Sequence, residues 1–181
     1  MALTWERALT DGFQTGEAPT WDEVCALAGG LVRAAAGAGR TVGFAESCTG
    51  GLASGAVTSQ AGSSEVLIGS VVSYACSVKE SVLGVSATTL AEAGAVSERC
   101  VREMAAGARR CLGADACVSI SGIAGPGGAV PGKPVGTVWL CLSGPEGERA
   151  MLRHFSGDRA GVRLKAVACA LAMHLSALVE D

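Results

Sequence analysis

Apolar positions recur along this chain at two periods, and they divide it into helices and strands. Val24, Leu27, Ala28, Leu31 and Val32 fall at helical spacing. Thr20-Trp21-Asp22-Glu23 stands just ahead of them and reads as a capping box, with Thr20 as N-cap and Glu23 at N3. Gly37 and Gly39 stop this helix. Thr41 to Ala45 is a short apolar strand, Glu46 to Gly51 a sharp turn, and Leu52 to Ser59 a helix leaving it. Val66 to Tyr74 is a second strand, apolar almost throughout, as expected of a strand covered on both faces. A short helix is predicted at Val78 to Leu83, followed by a loop. Ser97 caps a helix over Glu98 to Leu112, with Val101, Met104, Ala105 and Ala108 on one face. Ala116 to Ser121 is a third strand, and Gly122 to Pro134 a loop rich in glycine and proline. Gly136 to Ser143 and Ala150 to Phe155 form a hairpin through Gly144-Pro145-Glu146-Gly147. The last helix, Asp158 to Val179, carries Val167, Leu171, Leu175 and Leu178 on one stripe.

Residues 1–20 show no sustained period and read as an N-terminal extension; residues 21–181 read as one domain. Alternating helices and strands that close on a hairpin predict a three-layer α/β/α sandwich with a mixed, mostly parallel sheet.

Composition narrows the function. The 181 residues suit one domain, 49% are apolar, and mean hydropathy is +0.39. No stretch approaches the ~20 uninterrupted apolar residues of a membrane span, the longest clean run being Ala166 to Met173, so no membrane partner is expected. A net charge of −3, no basic cluster and one tyrosine disfavour nucleic acid. Eight cysteines occur without a CxxC pair, and residues 1–20 lack the apolar core of a signal peptide. They read as reduced, largely buried thiols of a cytoplasmic protein. With only His154 and His174 available, no ligand spacing supports a metal.

In open α/β sheets ligands bind beyond the carboxyl ends of the strands. Three segments fit that place: Glu46–Gly51, Tyr74–Lys79 and Gly122–Lys133. In the first, Ser47 sits between a strand and a Gly-rich helix start. It is a candidate nucleophile, although the motif alone reads more readily as a helix cap. Backbone N–H groups of Thr49, Gly50 and Gly51 could hold an oxyanion there. A serine nucleophile needs a base. His154 falls in a predicted strand and His174 inside the last helix, and both read as packed or surface residues. Lysine can substitute for histidine, and the chain has three. Lys165 reads as a solvated helix residue, whereas Lys79 and Lys133 border the predicted pocket. A lysine that acts as a base must fall from ~10.4 to roughly 7–8, against ~4 kcal/mol, through burial and neighbouring dipoles. Lys79 follows an apolar strand, where desolvation is available, and Tyr74 five residues earlier could relay a proton. Gly127 to Pro134 nearly matches a P-loop, but Pro134 replaces the Mg²⁺-binding hydroxyl and a strand follows, which excludes an NTPase.

These residues stand within a longer pattern. Ala45-Glu46-Ser47-Cys48-Thr49-Gly50-Gly51, Ala61-Gly62-Ser63-Ser64, Tyr74 with Lys79, and Gly94-Ala95-Val96-Ser97 follow one another. Then come Ser119-Ile120-Ser121-Gly122-Ile123-Ala124-Gly125-Pro126, Lys133-Pro134-Val135-Gly136-Thr137-Val138, and Phe155-x-Gly157-Asp158-Arg159 with Arg163. In this order they resemble the CinA C-terminal domain family over about residues 22–178. The resemblance implies a three-layer α/β fold and amidohydrolase activity on the carboxamide of nicotinamide mononucleotide. It implies a Ser–Lys mechanism without metal or organic cofactor, in a homo-oligomer. Carried over, Ser47 is the nucleophile, Lys79 the base and Tyr74 an assistant in proton transfer. Ser63, Ser64, Ser121, Gly122 and Gly125 become candidate substrate contacts. Arg159 and Arg163, four apart on one helix face, suit either a phosphate or salt bridges. Two positions depart from the family pattern: Cys76 and Ser77 stand where many relatives carry Asn and Glu. The large N-terminal domain of longer family members is not expected from these residues, and its function is not carried over. Two other functions stay open, a non-catalytic nucleotide-binding or regulatory module and an amidase for a different amide.

Overall fold

A computed structural model describes residues 3–179. Two one-turn helices, α1 (Trp5–Ala8) and α2 (Gly12–Thr15), precede α3 (Trp21–Ala38), β1 (Val42–Glu46) and α4 (Leu52–Thr58). β2 (Leu67–Val72), α5 (Cys76–Ser81), α6 (Ala87–Glu92) and α7 (Glu98–Leu112) follow. β3 (Ala116–Gly122), β4 (Thr137–Gly144), β5 (Gly147–His154) and α8 (Arg159–Val179) complete the chain. The predicted caps are made. Glu23 N–H donates to Thr20 Oγ1 at 3.2 Å, and Thr20 N–H donates to Glu23 Oε2 at 2.8 Å. Ser97 Oγ accepts from Cys100 N–H at 3.2 Å. α3 and α7 both end on left-handed glycines, Gly39 and Gly113.

The sheet order is β2-β1-β3-β4-β5. The first three strands are parallel, while β4 and β5 run antiparallel through the predicted hairpin. α3, α4 and α8 cover one face and α7 the other, giving the three-layer sandwich that the pattern implies. Glu46 at the end of β1 pairs with Val72 on one side and Ile120 on the other. The carboxyl ends of the three parallel strands are therefore level. α7 lies so close to the segment after α5 that a Cβ on Gly107 would stand 1.9 Å from Leu83 O.

Several expectations are corrected. β2 is not covered on both faces: it is the edge strand, with Ile68 49% and Val72 45% exposed. An apolar run reports β propensity and cannot distinguish an edge from a centre. The stretch after α5, expected to be loop, contains α6, which Ser86 caps through Thr89 N–H at 3.1 Å. Lys165 is not solvated; it is 1% exposed, and its Nζ donates to Gln14 O, Gly16 O and Ser156 O at 3.1, 2.6 and 3.0 Å. Residues 3–20 pack on the domain through these bonds and through buried Ala8 and Phe13, the latter edge-on to Phe155. α8 is long and apolar enough to cross a membrane, yet 72% of its most apolar window is buried inside the fold. It is the central core helix, and His174 within it packs edge-on against Phe44.

Of the eight cysteines, Cys48, Cys100, Cys117, Cys141 and Cys169 are buried; Cys76 and Cys111 are exposed.

Candidate active site

The level strand ends place three loops side by side. Ser47 N–H donates to Ile120 O at 3.0 Å and Ser73 N–H to Glu46 O at 2.8 Å, so sheet bonding continues one residue beyond β1 and β2. Ser47 thereby emerges between its two neighbouring strands. It does not cap α4, whose N-cap is Gly51 with no side-chain bond. Gly50 and Gly51 adopt φ of 63° and 97°, a left-handed turn that lets the chain reverse directly after the serine.

Lys79, on α5, reaches under the end of β2 to meet it. Its Nζ stands 3.0 Å from Ser47 Oγ, 2.6 Å from Ser73 O and 3.4 Å from Tyr74 O. Lys79 is 1% exposed and Ser47 9%. Burial pushes the lysine's pKa below its ordinary value, because an apolar surround disfavours the charged form. A neutral amine has two N–H donors and one lone pair. Where the amine is neutral, the carbonyls of Ser73 and Tyr74 can take its two N–H groups and its lone pair can face the Ser47 hydroxyl; where it is protonated, it donates to all three. Cys48 next door is no competitor: burial pushes its thiol up to about 11, so it stays protonated.

The proposed oxyanion donors are less free than the motif suggests. Gly50 N–H donates to Ser47 O at 3.1 Å and Gly51 N–H to Glu46 Oε2 at 2.9 Å. Thr49 is the remaining member of the three, and its Oγ1 is buried without a hydrogen-bond partner, as is Ser73 Oγ. Tyr74 approaches the lysine through its carbonyl. Its side chain is 63% exposed, and its hydroxyl accepts from Arg159 at 3.3 Å.

The two arginines do share a face of α8 and both turn toward the site. Arg163 donates to Cys48 O at 3.0 Å and Thr49 O at 2.8 Å, clamping the nucleophile loop to α8. Arg159 donates to Gly125 O at 2.8 Å. Together with Gly125, Pro126 and Val135 they line a cavity of about 530 Å³. Gly125 is left-handed there, with φ of 83°.

Other expected contacts fall elsewhere. Ser63 and Ser64 precede β2 and stand at the amino end of the sheet, because α4 must run back antiparallel to β1 before a parallel strand can start. Ser121 is buried and donates to Ala95 O at 2.7 Å. Gly122 is packed against β4, where a Cβ would meet Val138 Cγ2 at 2.6 Å. Lys133 donates to Ala93 O at 2.7 Å and so closes the third loop onto the turn before α7. Glu46 is the site residue that motif reasoning passed over. It is fully buried, and its signal in the sequence is a lone carboxylate at the end of an apolar strand.

A buried serine–lysine pair thus stands at the carboxyl end of the parallel strands of a three-layer α/β sandwich. The comparisons name the family: the chain belongs to the CinA C-terminal domain family, whose model matches residues 25–178. It is 50% identical over 133 residues to a CinA-like protein of Thermotoga maritima, covering 73% of this chain and 32% of that protein. It is 47% identical over 138 residues to the nicotinamide-nucleotide amidohydrolase PncC of Enterobacter agglomerans, covering 76% of this chain and 84% of that one. The chain thus spans about a third of the length of the CinA-like relatives and most of the PncC relative. Among solved structures, a CinA superfamily protein from Klebsiella pneumoniae superposes with a TM-score of 0.84 at 37% identity, over 87% of this chain and 99% of that one. One from Escherichia coli gives 0.81 at 30% identity, over 97% and 99%.

Proposed function

We propose that this chain is a nicotinamide-nucleotide amidase, which hydrolyses the carboxamide of nicotinamide mononucleotide to nicotinic acid mononucleotide and ammonia by a Ser–Lys mechanism. The observation that carries the reading is the buried contact of Lys79 Nζ with Ser47 Oγ at 3.0 Å. The 47% identical PncC relative supplies the substrate class.

Neutral Lys79 takes the Ser47 proton as Oγ attacks the amide carbon. The amide π electrons move to oxygen, and N–H groups of the nucleophile loop, Thr49 foremost, stabilise that charge. The intermediate collapses as the C–N bond breaks, and the lysine gives its proton to the departing nitrogen, releasing ammonia. Water then attacks the acyl-serine ester. It yields a proton to Lys79, which returns it to Ser47 Oγ as the C–O bond to serine breaks, and the released carboxylic acid gives its remaining proton to solvent. Arg159 and Arg163, at the cavity edge, supply the cationic surface a nucleotide phosphate requires. The site is proposed to work in the cytoplasm and in a homo-oligomer, with a small-molecule nucleotide as partner.

Ammonia release from nicotinamide mononucleotide, measured beside nicotinamide, its riboside and unrelated amides, tests the reading. Release from the mononucleotide alone supports it. Release only from another amide, or nucleotide binding without turnover, overturns it in favour of a different amidase or a binding module.

A further inference from the structure

Glu46 adjoins the nucleophile but points away from it, into the base of α4. Five donors converge on its carboxylate. Gly51 N–H and Ala53 N–H reach Oε2 at 2.9 and 3.1 Å. Ser54 N–H, Ser54 Oγ–H and Ser70 Oγ–H reach Oε1 at 3.0, 3.0 and 3.1 Å. The side chain is wholly inaccessible to solvent. A buried polar group needs hydrogen bonds in place of its hydration, and both carboxyl oxygens have them here.

The partners belong to different elements. Gly51 ends the turn that follows Ser47 and is the N-cap of α4, Ala53 and Ser54 lie in the first turn of α4, and Ser70 lies on β2. The backbone of the same residue extends the connection, because Glu46 O accepts from Ser73 N–H at 2.8 Å. Ser73 O is in turn the nearest acceptor of Lys79 Nζ, at 2.6 Å. One residue therefore joins the segment that carries the nucleophile to the segment that holds the base. α4 has no other side-chain cap at this end.

We infer that Glu46 is a positioning residue, whose buried carboxylate sets the 47–51 turn and so the placement of Ser47 Oγ against Lys79. The inference rests on Ser47 being the nucleophile. It assigns Glu46 no contact with substrate and no share in proton transfer. Replacing the carboxylate by an amide keeps size and shape but exchanges one acceptor oxygen for a donor. At least two of the five donors then face an N–H group, and the turn must shift to relieve them. A displacement of ~1 Å at a reacting atom is worth about 10²-fold in rate.

The test uses the full chain and two readouts. The first is the rate at which a fluorophosphonate reagent phosphonylates Ser47 with loss of fluoride, followed by mass spectrometry and expressed per folded molecule from circular dichroism. The second is kcat and KM for nicotinamide mononucleotide. Glu46→Gln should slow phosphonylation and lower kcat together, by about 10²-fold, with KM within about twofold of wild type. Ser54→Ala and Ser70→Ala each remove one hydroxyl from Oε1 and should slow phosphonylation by a few fold, also without moving KM. If Glu46→Gln does not fold, these two decide the matter. Labelling at the wild-type rate in folded Glu46→Gln overturns the inference, as does a wild-type rate in both serine variants where Glu46→Gln is unfolded. Failure of the reagent to label Ser47 in the wild type, with turnover retained in Ser47→Ala, overturns the nucleophile reading instead.

Discussion

Lys79 Nζ and Ser47 Oγ stand 3.0 Å apart although 32 positions separate them in the chain. The parallel pairing of β1 with β2 makes the meeting, since it brings the residues after both strands to one level. Burial of the amine then makes the meeting useful, because a lysine that kept its proton could not accept another. The expected consequence is a pH profile of kcat/KM with an acid limb. Activity falls as pH drops and Lys79 becomes protonated, with the midpoint below 10.5, the ordinary value for lysine. Ser47→Ala and Lys79→Met should each lower turnover by about 10⁴-fold or more. Ammonia release across the pH range checks both; turnover by Lys79→Met with an unaltered acid limb would remove the lysine from the mechanism.

Tyr74 separates two roles that a sequence motif merges. Its carbonyl faces Lys79, while its hydroxyl accepts from Arg159 at 3.3 Å on the open side of the site. Tyr74→Phe keeps the carbonyl and removes the hydroxyl. A hydrogen bond of this exposed kind is worth about 1 kcal/mol, or roughly fivefold in binding. KM for the nucleotide should rise by about that factor with kcat nearly unchanged. A large fall in kcat at constant KM would instead place the phenol in the proton transfer. Steady-state kinetics of the single variant decide between the two.

The elements legible in the sequence are those whose ends carry their own chemistry. Thr20 with Glu23 and Gly39 locate α3, and Ser97 locates the start of α7, to within a residue or two, because caps act locally. Ser47 and Lys79 were legible as residue types beside strand ends, and the family pattern singled them out from equally plausible caps and surface groups. What escaped depends on distant partners. The edge position of β2 is a property of the sheet order. The burial of Lys165 depends on carbonyls at positions 14 and 16, and the engagement of Gly51 N–H on a carboxylate behind the loop. Ser63 and Ser64 share a family motif with the site but lie at the other end of the sheet, since motif order carries no information about which way a crossover helix runs.

Lys165 fastens residues 3–20 to the start of α8. Its Nζ donates to Gln14 O, Gly16 O and Ser156 O, with Arg153 donating beside it to Leu9 O at 2.6 Å. Lys165→Met preserves most of the apolar stem but leaves these carbonyls without their shared donor. Charge-assisted bonds of this kind contribute ~1.5–3 kcal/mol, so a loss of about 2–3 kcal/mol is expected in urea unfolding. Limited proteolysis should cut within residues 3–20 of the variant faster than in wild type. Equal cleavage rates would show that the apolar contacts of Ala8 and Phe13 hold the segment without the lysine.

His174 gives the fold a predictable weakness to acid. It is 1% exposed, packs edge-on to Phe44 at 5.1 Å, and its Nε2 lies 3.2 Å from Gly43 O. Neutral, with the proton on Nε2, it donates to that carbonyl. Burial pushes its pKa from 6.5 down to about 4, because no carboxylate compensates a charge there. The unfolded chain therefore binds a proton that the folded chain refuses. Stability is at its full value above pH 6.5, falls as pH drops from 6.5 towards 4, and loses nothing more from this group below that. A tenfold change in proton affinity is ~1.4 kcal/mol, so the total loss is about 3 kcal/mol. His174→Gln retains a donor for Gly43 O but does not titrate. Its unfolding free energy, measured by urea titration from pH 7 to 4, should start below wild type through poorer packing and decline less steeply. Parallel slopes for the two proteins would mean that the acid sensitivity lies with other groups and that His174 opens to solvent before it is protonated.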